Sequence, residues 1–268
     1  VELRGRHIVV TGAASGIGEA MARRFAAEKP ARMVLADIDR SALARVADEL
    51  GAVAAPTDVS RSEDIERLVA VAHEHGPIDL FCSNAGVFGG LVGVDASADI
   101  WDATWRINVM AHVYAARAVL PKMLERGEGY LLNTASAAGL LLNMNALPYT
   151  ATKHAAVAVA EWLSVTYGAR GIRVSCLCPQ GVKTPMLAAS GAGQPGSAVV
   201  AAGALLDPDD VAVATLEGLR EERFLILPHP EVARYFAHRA TDHERWLGRM
   251  QQLQVELDIE VAEARTEP

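Results

Sequence analysis

Tyr149 and Lys153 stand four residues apart in Tyr149-Thr150-Ala151-Thr152-Lys153. On a helix, positions four apart share a face, with Cβ atoms about 5–6 Å apart. A phenol has a pKa of about 10 in water and exchanges protons poorly at neutrality. A fixed ammonium beside it favours the phenolate and draws that pKa down. The result suits a general acid/base for an alcohol or a ketone. A drop of two to three units takes roughly 3–4 kcal/mol, so the cation must be close and shielded from water. Taken alone, the pair also fits an ordinary surface feature, because Tyr-x-x-x-Lys arises by chance in many helices. The rest of the chain has to decide.

A second group of residues could hold an anion. The β-rich run His7-Ile8-Val9-Val10-Thr11 leads into Gly12-Ala13-Ala14-Ser15-Gly16-Ile17-Gly18, and a helical pattern follows through Met21, Phe25 and Ala26. Glycines let a backbone approach a diphosphate, and the first free N–H groups of a helix donate to it. The alternative is a tight strand-to-helix connection. Asp37 ends the next strand, about 20 positions past the glycine turn, where a carboxylate can accept from an adenosine ribose. It would repel a 2′-phosphate, and Ser15 and Ile38 supply no compensating charge, so NAD is favoured over NADP. Arg40 is the nearby cation that works against this. The competing role for Asp37 is to cap the helix predicted over Ser41–Leu50. Asp58 and Val59 follow the third strand, Ala52–Ala55, with Asp58 placed to reach an adenine amino group. Asn84-Ala85-Gly86 ends the fourth strand, Pro77–Ser83, and its small residues let a cofactor lie across the sheet crest.

The elements that must position these residues alternate. Helices are predicted over Ser62–His75, Asp99–Arg126, Asn145–Arg170 and Pro208–Arg220, and strands over Met33–Ala36, Gly129–Thr134, Arg173–Cys178 and Phe224–Leu227. Alternation with short connections predicts an α/β fold, a doubly wound parallel sheet with helices on both faces. The strands are near-continuous apolar runs, as burial on both faces demands. With no linker-like stretch or internal repeat, the whole of 1–268 is expected to be one domain, with 231–268 as a helical C-terminal extension. That extension is expected to pack on the domain or on another subunit. Asn108 falls inside a predicted helix, where its propensity is poor, so it either faces water or has a specific task. Ser136 ends the fifth strand, where its hydroxyl is either a turn feature or a donor to a carbonyl oxygen. Leu140-Leu141-Leu142 suggests a greasy pocket wall or part of the core. Pro179-Gln180-Gly181-Val182-Lys183-Thr184 leaves the sixth strand with backbone available to a carboxamide. Met186–Leu206, rich in Ala, Gly and Ser, is expected to be a mobile lid or an unstructured loop.

Composition narrows the function. The 268 residues are 51% hydrophobic and 22% charged, with a net charge of −8. That supplies a large core and argues against disorder. The acidic balance and the lack of a basic run oppose nucleic-acid binding. Three cysteines, Cys82, Cys176 and Cys178, make no disulfide framework, and reduced thiols point to a cytoplasmic protein. The eight histidines show no metal-ligand spacing, so no metal is expected. No signal peptide or membrane-spanning run is expected either.

Together these residues resemble the short-chain dehydrogenase/reductase superfamily, in its single-domain branch. The resemblance covers roughly Leu3 to Leu227. It rests on Thr11-Gly12-x-x-x-Gly16-Ile17-Gly18, Asp58, Asn84-Ala85-Gly86, Asn108, Ser136, Tyr149-x-x-x-Lys153 and Pro179 to Thr184. It implies that Tyr149 exchanges a proton with the substrate oxygen and that Lys153 lowers the tyrosine pKa and binds the nicotinamide ribose. Ser136 would orient the carbonyl or alcohol, and Asn108 would hold a water that extends a proton relay. Pro179, Gly181, Val182 and Thr184 would complete the cofactor contacts of Gly12, Ser15, Gly16, Ile17, Gly18, Asp37, Asp58, Val59, Asn84, Ala85 and Gly86. Family members often assemble as tetramers through the two long helices, so a homo-oligomer, tetramer or dimer, is expected. One departure stands out. Pro-Gln occupies Pro179-Gln180 where the family usually has Pro-Gly. The expected activity is hydride transfer between NAD and an alcohol or ketone. Phe88, Leu140 to Leu142, Met186 and Leu187 suggest a hydrophobic substrate. The rivals are a catalytically idle nicotinamide-binding sensor or scaffold, and an NAD-assisted epimerase or dehydratase.

Overall fold

The computed structural model describes residues 1–190 and 205–264. Seven strands form one parallel sheet in the order β3-β2-β1-β4-β5-β6-β7. They are β1 (His7–Thr11), β2 (Arg32–Asp37), β3 (Val53–Pro56), β4 (Leu80–Ser83), β5 (Gly129–Thr134), β6 (Ile172–Leu177) and β7 (Leu225–Ile226). The helices between them are α1 (Gly16–Ala27), α2 (Arg40–Leu50), α3 (Ser62–His73), α4 (Ala98–Trp105), α5 (Ala111–Arg126) and α6 (Leu147–Tyr167). Then come α7 (Pro185–Ser190), α8 (Pro208–Arg220), α9 (Glu231–Thr241) and α10 (His243–Ala264). The expected doubly wound architecture is therefore the observed one. The chain runs outward from β1 to β3, then returns to the far side of β1 at β4. That reversal opens a crevice at the carboxyl ends of β1 and β4, where such sheets bind ligands.

The core lies in two layers because successive strand residues point to opposite faces. Val9, Val34, Phe81 and Leu131 face α3, α5 and α6. Ile8, Val10, Leu35, Cys82 and Leu132 face α1, α2 and α8. Both layers are apolar, which explains why the strand sequences do not alternate. Among the described residues, no helix is long and apolar enough to cross a membrane.

Two elements differ from their sequence-based forms. The helix expected over Asp99–Arg126 contains a π-helical turn at Arg106–Met110 between α4 and α5. A π turn fits one extra residue into the helix, and such turns gather at functional sites. Pro121 sits within α5 without ending it. The region expected to be a lid begins as α7, and residues 191–204 of it lie outside the described residues.

Candidate active site

A cleft of about 410 Å³ opens along the carboxyl edge of the sheet, a size suited to a small-molecule ligand. Its floor is built from the turn after β1. Gly12 and Gly16 have left-handed φ values of 66° and 54°. Gly18 is glycine for a different reason: a Cβ there would stand 1.9 Å from the Gly12 carbonyl oxygen. The glycine turn and the first turn of α1 pack backbone on backbone. Ser15 caps α1 without a side-chain hydrogen bond to it. The amino end of α1 thus faces the cleft through Ser15, Gly16, Ile17 and Gly18. A helix start presents N–H groups to an anion.

Thr11 joins this turn to the one after β4. Its Oγ1 accepts from Asn84 N at 2.9 Å and Ala85 N at 3.2 Å, and Asn84 Nδ2 donates to Thr11 O at 3.1 Å. Asn84, Ala85 and Gly86 all line the cleft. Asp37 lies at the end of β2, where Oδ2 accepts from Ala14 N at 3.0 Å and Oδ1 from Asp39 N at 3.0 Å. The α2 cap is Asp39, not Asp37: the Asp39 side chain takes the N–H groups of Ser41 and Ala42. Asp37 thus stays on the cleft wall. Asp58 and Val59 line it too, with Asp58 Oδ1 accepting from Ser60 N and Oγ. Among the described lining residues, Lys153 is the only cation.

The other half of the cleft holds the reactive side chains. Ser136, Tyr149 and Lys153 all line it. Ser136 caps a short 3₁₀ turn, its Oγ accepting from Ala138 N at 3.1 Å. Phe88 packs on Tyr149 with ring centroids 5.1 Å apart. Lys153 Nζ donates to the Thr134 carbonyl at 3.2 Å and lies 5.6 Å from the Tyr149 ring centroid. The two side chains share a face of α6, as their spacing requires, and the ammonium lies over the phenol ring with its hydrogen bond given to Thr134 O.

The electrostatic balance departs from the expectation drawn from the sequence. From the protein's own groups, burial pushes the Tyr149 phenol above its ordinary value, and the Ser136 hydrogen bond works against that rise. Burial also brings Lys153 down, to about 8. Each group is held toward its neutral form because the protein packed around it disfavours charge. The lysine alone does not produce an acidic phenol. His112 on α5 is pushed down to about 3, first by burial and then by the charge of Lys153.

Asn108 is fully buried in the π turn, not facing water. Its Oδ1 accepts from Val87 N, its Nδ2 donates to Val87 O, both at 2.9 Å, and Nδ2 also donates to Thr152 Oγ1 at 3.1 Å. These bonds fasten the loop after β4 to α6 one residue before Lys153. They offset the poor helical propensity of asparagine. The closeness is visible at Gly86, where a Cβ would lie 3.3 Å from Asn108 Oδ1 and 3.4 Å from Lys153 Nζ.

The Pro179-Gln180 departure is accommodated without strain. Gln180 is not among the residues with a left-handed backbone, so nothing there demands glycine. Its N–H is accepted by His229 Nδ1 at 3.2 Å, while His229 Nε2 bonds the Gly181 carbonyl at 3.1 Å. Pro179, Gln180, Val182 and Thr184 line the cleft. Gly181 does not; its carbonyl is taken by His229 and by Leu206 N. Sequence reasoning gave no place to His229, Thr152 or Tyr235. Tyr235 lines the cleft from α9. Their partners are distant in sequence, so no local spacing marks them.

The family model described as short chain dehydrogenase matches residues 6–195. The chain belongs to the short-chain dehydrogenase family. It is an oxidoreductase acting on CH–OH groups. The 1-deoxy-11-beta-hydroxypentalenate dehydrogenase of Streptomyces exfoliatus is 38% identical over 249 residues, covering 86% of each chain. A short-chain dehydrogenase/reductase from Burkholderia phymatum in complex with NAD is similar in structure, with a TM-score of 0.82 and 35% identity over 91% of this chain and 96% of that one. A 3-ketoacyl-(acyl-carrier-protein) reductase from Brucella melitensis complexed with NADH has a TM-score of 0.76 and 29% identity, covering 84% of this chain and 96% of that one. As in other short-chain dehydrogenases, the fold is a nucleotide-binding one. The turn holding Gly12 and Gly16 leads straight into a helix start, and the free N–H groups of such a start suit an anionic group such as a diphosphate.

Proposed function

We propose that this short-chain dehydrogenase uses NAD to oxidise a hydrophobic secondary alcohol or reduce the corresponding ketone, with Tyr149 as general acid/base. One observation carries the reading: Ser136, Tyr149 and Lys153 line one cleft together with the glycine turn and Asp37. NAD is favoured over NADP because Asp37 supplies a carboxylate at the end of β2 and the described lining holds no cation near it. The NAD and NADH bound to the two related structures support the same choice. Gly12, Ser15, Gly16, Ile17 and Gly18 would face the diphosphate, and Asp58, Val59, Asn84, Ala85 and Gly86 the rest of the nucleotide. Pro179, Val182 and Thr184 would meet the nicotinamide end. Gly181 would act through the turn it shares with His229.

The residues divide the work. Ser136 donates to the substrate oxygen and places it against the phenol. Tyr149 Oη passes a proton to that oxygen in reduction and takes one in oxidation. Lys153 is fixed by Thr134 O over the ring, and its charge favours the phenolate once a proton has left. NAD, when bound, would supply the hydride acceptor. Asn108 keeps the loop after β4 and the lysine end of α6 in register. The lining by Phe88, Leu141, Leu142, Met186 and Leu187 favours an apolar substrate. The Streptomyces relative supports an alcohol, since its name gives a hydroxypentalenate as substrate.

The chain is taken as one domain in the cytoplasm, its cysteines being free and buried. Homo-oligomerisation through α4–α5 and α6 is supported by Trp105, Trp162 and Val165, large apolar side chains exposed on those helices. The test is a panel of apolar secondary alcohols with NAD, read as NADH absorbance. Turnover in wild type that collapses in Tyr149→Phe supports the reading. Turnover confined to small charged hydroxy acids, or surviving in Tyr149→Phe, overturns it. Net NADH accumulation also separates it from an epimerase or an idle binder.

A further inference from the structure

The C-terminal helices approach the cleft at its apolar end. Tyr235 on α9 lines the cleft together with Leu141 and Leu142. One turn further along the same face of α9 is Arg239. Its Nη1 lies within hydrogen-bonding reach of three acceptors, the carbonyl of Leu140, the carbonyl of Leu141 at 3.0 Å and His154 Nε2 at 2.9 Å, so its two N–H groups are shared among them. The Trp246 ring on α10 covers the guanidinium, with Arg239 Cζ 5.1 Å from its centroid.

The tautomer of His154 follows from its partners. Its Nδ1 lies 2.9 Å from the Thr150 carbonyl, which can only accept. Nδ1 therefore carries the proton and Nε2 is the acceptor that a guanidinium needs. Thr150 is tied in turn to the pocket loop. Its Oγ1 accepts from Asn143 N at 2.9 Å and donates to Asn143 O at 3.1 Å. A continuous set of hydrogen bonds thus runs from loop 140–143 through Thr150 and His154 of α6 to Arg239 of α9, and back to the loop. His154 is next in sequence to Lys153.

We propose that the C-terminal extension closes the substrate end of the cleft, with Tyr235 as a specificity-determining wall and Arg239 as the positioning residue that latches it to loop 140–143. A guanidinium suits this task because its delocalised, weakly hydrated charge packs under the Trp246 ring while its Nη1 faces the acceptors, which a compact, strongly hydrated ammonium does less well. Neither residue belongs to the proton-transfer set. Their influence is on which substrate frame fits against Leu141 and Leu142, not on the nucleotide. The kinetic part rests on the function proposed above; the latch does not.

The experiment uses the full chain and the variants Tyr235→Ala and Arg239→Met, the latter keeping an apolar stem under Trp246. The first readout needs no substrate. Amide hydrogen exchange over residues 140–143 should speed up by about tenfold in Arg239→Met, the effect of losing hydrogen bonds from a charged donor, while β5 and α6 stay protected. Unchanged exchange there overturns the latch. The second readout is selectivity with NAD between decahydro-2-naphthol and propan-2-ol. The ratio of their kcat/KM values should change by about tenfold in each variant, with KM for NAD altered by less than about twofold. An unchanged ratio in Tyr235→Ala overturns the wall. Absence of turnover by wild type with either alcohol, using NAD or NADP, overturns the proposed function, and the exchange result then judges the latch by itself. Should Arg239→Met fail to fold, His154→Leu removes one acceptor and gives the same comparison at smaller amplitude.

Discussion

The two ends of the cleft are built from different materials. The end proposed for the nucleotide is mostly main chain: a glycine turn, the start of α1, and the Asn84-Ala85-Gly86 turn held by Thr11. The end proposed for the substrate is made of side chains from β5, α6 and α9, far apart in sequence. A backbone surface tolerates no added atom, whereas a side-chain surface can be remodelled. On the function proposed above, cofactor binding falls to the first end, and proton transfer and substrate choice to the second.

The largest expected effect tests the boundary between the two ends. Tyr149→Phe keeps the packing against Phe88 and removes the exchangeable proton. It should lower kcat by about 10³-fold with NAD affinity and melting temperature retained, measured by stopped-flow absorbance and calorimetry. A parallel loss of NAD binding would mean that the ends are not separable.

Gly18→Ala attacks the backbone end. The new Cβ would stand 1.9 Å from Gly12 O, and backbone has to move. A loss of about 3 kcal/mol in urea unfolding is expected, together with weakened NAD binding. A tolerated alanine would show the turn to be more plastic than its packing implies.

Lys153 joins the two ends, and its burial has a measurable pH signature. It titrates near 10.5 when exposed and at about 8 in the fold. Between those values the unfolded chain binds more protons, so the contribution of Lys153 raises stability as pH increases. Below pH 8 the buried ammonium costs up to about 3 kcal/mol. Lys153→Met should therefore be more stable than wild type at pH 7, with an advantage that shrinks toward pH 10, in paired urea titrations. A constant difference across that window would place the lysine in water.

The smallest effect concerns cofactor choice. Asp37→Asn keeps a hydrogen-bonding side chain near Ala14 N and removes the negative charge. KM for NAD should rise by about tenfold and that for NADP should fall, since a charge-assisted hydrogen bond is worth about 1.5–3 kcal/mol. An unchanged ratio would remove Asp37 from the nucleotide pocket.

Much of the fold was legible because a parallel sheet buried on both faces leaves continuous apolar runs such as Ile8-Val9-Val10 and Leu131-Leu132. Element ends shifted by a few residues, since terminal hydrogen bonds are settled by neighbours. The π turn was not legible: the task of Asn108 depends on Val87 and Thr152, which only folding brings near. The same holds for His229, which steadies the Gln180 turn, and for Arg239.

The sequence by itself determined the layered α/β architecture, the family and the carboxyl-edge cleft, because apolar periodicity and glycine placement are local constraints on the backbone. Only the tertiary structure decided the electrostatic state of the Tyr149/Lys153 pair and the role of the C-terminal helices. Burial, which pushes the phenol up and the ammonium down, is a property of everything packed around a group. No spacing along the chain encodes it.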